Sequence, residues 1–130
     1  MTERRDLVLI VDDDRAVRES LKFALELEGL AVGVFGSGDE LLCHPDVDRA
    51  GCLVLDYKMP GMDGFELLRL LALRQLCLPV IMITPAVGPS LRQRAKAAGV
   101  QHVLEKPLSD GALRESIADL LNHRKMICAK

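Results

Sequence analysis

Leu7-Val8-Leu9-Ile10-Val11-Asp12-Asp13-Asp14, residues 7–14, sets five apolar residues directly against three carboxylates. An unbroken apolar run of that length suits a strand covered on both faces, because a strand with one wet face alternates apolar with polar side chains. The abrupt change to aspartate then puts negative charge at the carboxyl end of that strand. From residue 15 the period changes. Val17, Leu21, Ala24 and Leu25 recur at helical spacing while Arg18, Glu19, Lys22 and Glu26 fall off that stripe, and Gly29 stops a helix predicted over residues 15–28.

The same alternation of short apolar run and amphipathic stretch occurs five times along the chain. Ala31 to Phe35 is a second, weaker strand, and Ser37 with Glu40 forms a capping box for a short helix that Pro45 ends. Cys52 to Leu55 is the third strand, followed by Asp56. Pro60-Gly61 and Asp63-Gly64 mark a turn before a Leu-rich helix from Phe65 to about Leu76. Pro79 opens the fourth strand, Val80 to Thr84, and a loop with Pro85, Gly88 and Pro89 leads into a helix from Ser90 to Ala98, closed by Gly99. Val100 to Leu104 is the fifth strand, and a last helix begun near Ser109 carries Leu113, Ile117, Leu120 and Leu121 on its apolar face. Repeated βα units pair in parallel through right-handed crossovers that put helices on both faces. The fold predicted is α/β, a single-domain doubly wound five-stranded parallel sheet of order 2-1-3-4-5.

Composition narrows the function classes. At 130 residues the chain accommodates one ordinary core, and 49% hydrophobic with 28% charged residues describes a chain that folds. Aromatic residues are 3% with no Trp and one Tyr, so no stacking platform for single-stranded nucleic acid exists. A formal net charge of −2 supplies no basic field, so direct nucleic acid binding by this chain is not expected. Cys43, Cys52, Cys77 and Cys128 are scattered and read as reduced thiols, and His44, His102 and His123 lack metal-ligand spacing. Thr2-Glu3-Arg4-Arg5-Asp6 followed by five apolar residues is far short of a signal-peptide core or a membrane span, so no membrane association and a cytoplasmic location are expected.

In doubly wound sheets, ligands bind beyond the carboxyl ends of the strands, where the strand order reverses. Asp12 and Asp13 follow the first strand, Asp56 ends the third, Thr84 ends the fourth and Lys106 follows the fifth, so one rim collects them all. Three crowded carboxylates resist joint ionisation unless a cation compensates them. Mg²⁺ takes hard oxygen ligands and is held by one or two carboxylates together with a phosphate. Taken singly, each residue has a plainer reading: Asp12, Asp13 and Asp14 as helix caps, Asp56 as a turn residue, Thr84 with its methyl packed inward, Lys106 as a solvated lysine. For Asp14 the cap and the site reading stand level. For the other five, successive placement at strand ends outweighs the plainer reading. Pro60, Gly61 and Gly64 shape the loop after Asp56, with Asp63 capping the next helix.

Val11-Asp12-Asp13-Asp14, Asp56, Met59-Pro60-Gly61-Met62-Asp63-Gly64, Ile83-Thr84 and Lys106-Pro107, in this order and over nearly the whole chain, resemble the receiver domain of bacterial response regulators. That resemblance implies the flavodoxin-like (CheY-like) (βα)5 fold, with residues 1–124 as receiver domain and 125–130 as a C-terminal tail or the start of a linker. It implies that Asp56 accepts a phosphoryl group from a sensor histidine kinase, that Asp12, Asp13, Asp56 and the backbone carbonyl of Lys58 hold Mg²⁺, and that Thr84 and Lys106 contact the phosphoryl oxygens. It further implies a switch at Thr84 and residue 103 and a signalling domain and not a metabolic enzyme; such receivers often pair through the face of the fourth helix, fifth strand and fifth helix, but here that face is neither clearly apolar nor clearly ionic, so homodimer and monomer both stand. The surroundings of Glu105-Lys106-Pro107 are similar to receivers joined to LuxR-type helix-turn-helix domains, as in FixJ-like regulators, which implies transcription control with DNA reached only through a downstream effector domain.

Two positions depart from that pattern. Val103 stands where such receivers carry an aromatic residue, and Pro85 replaces a small residue after Thr84, biasing Thr84 to an extended backbone. We expect these to weaken or reroute the activating change while leaving phosphorylation intact, and Lys58 to tune hydrolysis. Two other functions fit parts of the pattern. A Mg²⁺-dependent aspartyl-phosphate phosphatase needs a second aspartate two residues after the nucleophile, where this chain has Lys58. An unphosphorylated interaction module has no need of all five site residues.

Overall fold

A computed structural model describes residues 7–127 except 46, 77, 109 and 110, with side chains through Asn122. Five strands, β1 (Leu7–Val11), β2 (Ala31–Phe35), β3 (Cys52–Asp56), β4 (Val80–Thr84) and β5 (His102–Glu105), alternate with five helices, α1 (Arg15–Leu27), α2 (Gly38–Leu42), α3 (Gly64–Leu73), α4 (Pro89–Ala97) and α5 (Ala112–Ile127). The sheet order is β2-β1-β3-β4-β5 with every pairing parallel, the doubly wound arrangement expected. A short 3₁₀ turn at Val47–Arg49, unforeseen in the sequence, precedes β3. Among the described residues no helix is long and apolar enough to cross a membrane.

Strand parity builds two cores, one on each face of the sheet. Leu9 and Val11 of β1, Leu53 and Leu55 of β3 and Val80 and Met82 of β4 pack with Phe35, with Leu41 of α2 and with Leu67, Leu68 and Leu71 of α3. Val8 and Ile10, Cys52 and Val54, and Ile81 and Ile83 point the other way, onto Leu25 of α1 and Leu113, Ile117 and Leu120 of α5. This two-sided burial is why the central strands read as unbroken apolar runs. It also pushes the Cys52 thiol up to about 12, so that cysteine stays protonated and inert.

The starts of α1, α2 and α3 are set by side chains the sequence announced. Asp14 accepts from the backbone N–H of Ala16 and Val17 at the head of α1, and Asp63 accepts from Glu66 N–H at 2.9 Å at the head of α3. Ser37 caps α2 by accepting from Glu40 N–H at 3.3 Å, but the Glu40 carboxylate accepts from Gly36 N–H at 2.9 Å and so closes the box one residue early.

Two boundaries differ clearly from expectation. The third helix ends at Leu73 and not near Leu76, because Gln75 takes the left-handed conformation at φ 59° and Leu76 N–H folds back to the Leu71 carbonyl. No glycine announces that stop. The fifth strand begins at His102 and not Val100, because Val100 N–H closes the end of α4 on the Ala95 carbonyl at 2.9 Å. The last helix is described from Ala112, while its expected start near Ser109, the segment before Leu7, Cys77 and Cys128, and the His123 side chain lie outside the described residues.

The two-core reading predicts a sharp contrast. Leu53→Ala, fully buried in β3, should lower the unfolding free energy by about 2–5 kcal/mol. Leu27→Ala, at a position 71% exposed on α1, should change it by less than about 0.5 kcal/mol. Urea denaturation measures both, and equal losses would contradict this packing.

Candidate functional site

All five strands run parallel, so their carboxyl ends share one rim, and register sets what meets there. Val11 lies opposite Leu55, Asp56 opposite Ile83 and Thr84 opposite Glu105. Backbone bonds carry the pairing past the strand ends: Asp12 N–H to the Phe35 carbonyl at 3.1 Å, Tyr57 N–H to the Ile83 carbonyl at 2.9 Å and Lys106 N–H to the Thr84 carbonyl at 2.8 Å. The chain is therefore held rigidly at the residues that carry charge.

Asp12, Asp13 and Asp56 each present a carboxylate oxygen within 4.8 Å of the others, the one such acidic grouping among the described residues. Asp12 is 2% exposed and Asp56 4%, whereas Asp13 faces solvent. Lys106 reaches back with Nζ 3.3 Å from Asp56 Oδ2. The other oxygen, Asp56 Oδ1, is buried with no hydrogen-bond partner among the described residues, and such an orphan is costly unless something else meets it. Burial and then the Asp12 charge raise the Asp56 carboxyl above the ordinary carboxylate range, against the Lys106 ammonium and the Lys58 backbone amide, which lower it. One ammonium leaves a surplus of negative charge among hard oxygen donors. That donor set, with an unmet buried oxygen at its centre, can hold a divalent metal ion.

Two local devices support the cluster. Asp12 Oδ1 accepts from Asp14 N–H at 2.9 Å, which folds the loop after β1 so that Asp14 turns away to cap α1. Asp14 is thus a cap and stands outside the acidic grouping, settling the reading the sequence left level. After Asp56, a methyl group on Gly64 would stand 3.2 Å from the Asp56 carbonyl oxygen and from the Tyr57 Cα, so the lack of a side chain lets α3 start hard against the β3 end.

Thr84 is 2% exposed at the end of β4 beside this cluster, but its hydroxyl is turned into its own loop. It donates to the Ala86 carbonyl at 3.2 Å and stands 3.4 Å from the Ala86 N–H. Pro85 is exposed between them. A groove bounded by Tyr57, Lys58, Thr84, Ala86, Leu91 and Arg94 opens next to the hydroxyl. Val103, on β5, borders a separate depression with Arg92, Ala95 and Lys96 of α4. His102 stands apart from the rim, paired with Asp119 of α5 at 3.0 Å.

The sequence reading missed three contributors. Arg18, set among the solvent-facing residues of the helix, is half-buried and donates to the Asp12 carbonyl at 2.8 Å. The ring of Tyr57, directly after Asp56, meets Phe65 of α3 edge-on at 5.3 Å, and the Arg94 guanidinium of α4 lies 4.2 Å over the Phe65 ring. Residue spacing signals neither contact. Only the position of Arg18 one turn into the helix that follows Asp12 and Asp13 hinted at its reach.

Comparison with known proteins gives the cluster a context. Residues 8–118 match the family model of the response regulator receiver domain. The transcriptional regulatory protein FixJ of Rhizobium meliloti is 40% identical over 117 residues, 89% of this chain and 57% of that protein. The C4-dicarboxylate transport transcriptional regulatory protein DctD of Pseudomonas aeruginosa is 38% identical over 120 residues, 92% of this chain and 26% of that protein. The chain therefore spans about a quarter to somewhat over half of these relatives. Among solved structures, the crystal structure of FixJ-N superposes with a TM-score of 0.80 at 37% identity, covering 95% of this chain and 97% of that one. With the fold, the strand-end acidic grouping and these likenesses in agreement, the chain belongs to the response regulator receiver family of two-component signal transduction.

Proposed function

We propose that Asp56 is the phosphoryl acceptor of this receiver and that Asp12, Asp13, Asp56 and the backbone carbonyl of Lys58 hold Mg²⁺. The observation that carries this reading is a nearly buried Asp56 with one oxygen against Lys106, the other without a partner, and two further carboxylates within reach. A carboxylate oxygen of Asp56 attacks phosphorus as the bond from phosphorus to the donor nitrogen breaks, its electron pair leaving on that nitrogen. Lys106 orients the acceptor and then meets a phosphoryl oxygen. Bound to the three carboxylates, Mg²⁺ supplies charge neutralisation and alignment of the phosphoryl oxygens. Thr84 exchanges its turn with Ala86 for a contact with a phosphoryl oxygen. The donor is a sensor histidine kinase, and the chain works in the cytoplasm and catalyses only its own phosphorylation and dephosphorylation. The output is a downstream effector controlling transcription, with a homodimer through α4, β5 and α5 as its means.

Incubation with acetyl phosphate and Mg²⁺ should add one phosphoryl group by intact mass, and Asp56→Asn should abolish the addition. Phosphorylation of the variant at the parent rate would transfer the acceptor role elsewhere.

The raised Asp56 carboxyl has a definite sign in stability. The folded chain holds that proton more tightly than the unfolded chain, so ionisation opposes folding. The penalty is absent at pH below the ordinary carboxylate value and grows as pH rises through it to the raised folded value. Without Mg²⁺, Asp56→Asn should therefore be more stable than the parent at pH 7, the gap closing as pH falls below about 4. Mg²⁺ at a hundred times its dissociation constant should add about 2.7 kcal/mol to the parent and nearly nothing to the variant. Thermal unfolding reads both, and a variant less stable than the parent at pH 7 would contradict this electrostatic account.

Pro85 and Val103 bear on the response. With no aromatic ring at 103 to rotate and a proline fixing the loop after Thr84, we propose a stiff loop in which the activating change is weak or rerouted. Beryllofluoride with Mg²⁺ should then shift amide resonances around Asp12, Asp56, Thr84 and Lys106, the two ends of the span 84–106 included, but few within that span. Large shifts spread across that span would refute the stiff loop.

A further inference from the structure

We infer that Arg18 is a positioning residue for the divalent cation, acting through the backbone that joins Asp12 to Asp13. This rests on the reading of those carboxylates as cation ligands. Arg18 Nη1 donates to the Asp12 carbonyl at 2.8 Å. That carbonyl and the Asp13 N–H lie in one rigid peptide plane. Holding the oxygen fixes the tilt of the plane and hence the direction in which the Asp13 side chain leaves the chain. Asp12 is thereby gripped at all three of its polar groups: its N–H by the Phe35 carbonyl at 3.1 Å, its Oδ1 by the Asp14 N–H at 2.9 Å and its carbonyl by Arg18. Asp13 is exposed, and its two flanking peptide planes are held by Arg18 on the amino side and by the bond from Asp14 N–H to Asp12 Oδ1 on the other.

The guanidinium is itself seated. A methyl group on Gly36 would stand 3.3 Å from Arg18 Nη1 and 3.6 Å from Glu40 Oε2. Arg18 therefore lies over the bare backbone of the turn between β2 and α2, where the Glu40 carboxylate also converges and accepts from Gly36 N–H at 2.9 Å. A cation this near three carboxylates tends to repel a second cation, and Glu40 offsets part of that charge. Positioning and repulsion thus make opposite predictions for removal of Arg18. The geometry favours positioning, because the donor points at a carbonyl and not at a carboxylate.

The test is calorimetric titration of the full chain with Mg²⁺ alone, for the parent, Arg18→Met, Arg18→Lys and Gly36→Ala, each first checked for cooperative thermal unfolding. Arg18→Met should bind Mg²⁺ about tenfold more weakly. Arg18→Lys, which keeps the charge and one donor, should recover part of the loss. Gly36→Ala should weaken binding by displacing the guanidinium while leaving Arg18 in place. In phosphorylation by acetyl phosphate, the Mg²⁺ concentration for half-maximal rate should rise in Arg18→Met while the rate at saturating Mg²⁺ falls far less. Parent-like or tighter Mg²⁺ binding by Arg18→Met overturns the inference, and if that variant fails to unfold cooperatively, parent-like binding by both Arg18→Lys and Gly36→Ala overturns it instead. A parent that binds no Mg²⁺ fails the reading of the acidic site, an outcome distinct from either.

Discussion

Carboxylate oxygens from Asp12, Asp13 and Asp56 lie within 4.8 Å of one another, with the ammonium of Lys106 in contact with Asp56. Free in water, such side chains would move apart, since like charges at that spacing repel and gain nothing from burial. The rest of the molecule is arranged so that they stay together. The sheet brings β1 and β3 side by side despite the forty residues or so between them in sequence, and the backbone bonds beyond the strand ends leave the acidic residues little room to relax. What remains is a strained electrostatic balance that a divalent cation or a change of charge on Asp56 would tip.

Rigidity at that rim depends on both cores. Because alternate residues of β1, β3 and β4 point to opposite faces, the helices on each side clamp the same strands. Asp56 sits at the end of a strand buried along its whole length, so its backbone cannot follow its carboxylate. Contacts reach outward from the rim through the loops: the turn that holds the Thr84 hydroxyl against Ala86, and the contact of Tyr57 with Phe65 that abuts Arg94 of α4. The second contact joins the residue after Asp56 to the fourth helix by a path that does not pass through Val103.

Strands were legible because burial on two faces writes itself as unbroken apolar runs, their order because right-handed crossovers must put helices on both faces, and the charged strand ends because polar residues interrupt those runs abruptly. Asp12, Asp13, Asp56 and Lys106 come together as expected from position alone. Gln75 shows the limit at helix ends: a non-glycine residue in the left-handed conformation leaves no mark in composition. Arg18 and Thr84 show the limit at the site. The aliphatic stem of an arginine on a polar stripe can carry its head group several ångströms to a carbonyl, and a hydroxyl can turn toward its own loop or toward a neighbour, and spacing along the chain encodes neither choice.

The central claim is that the three carboxylates form one cation site beside the acceptor. Anomalous diffraction from crystals of the chain soaked in Mn²⁺, which accepts the same hard oxygen ligands, tests it directly. The account predicts a single strong peak within coordination distance of Asp12, Asp13 and Asp56. A peak placed elsewhere, with none among these three, would contradict it.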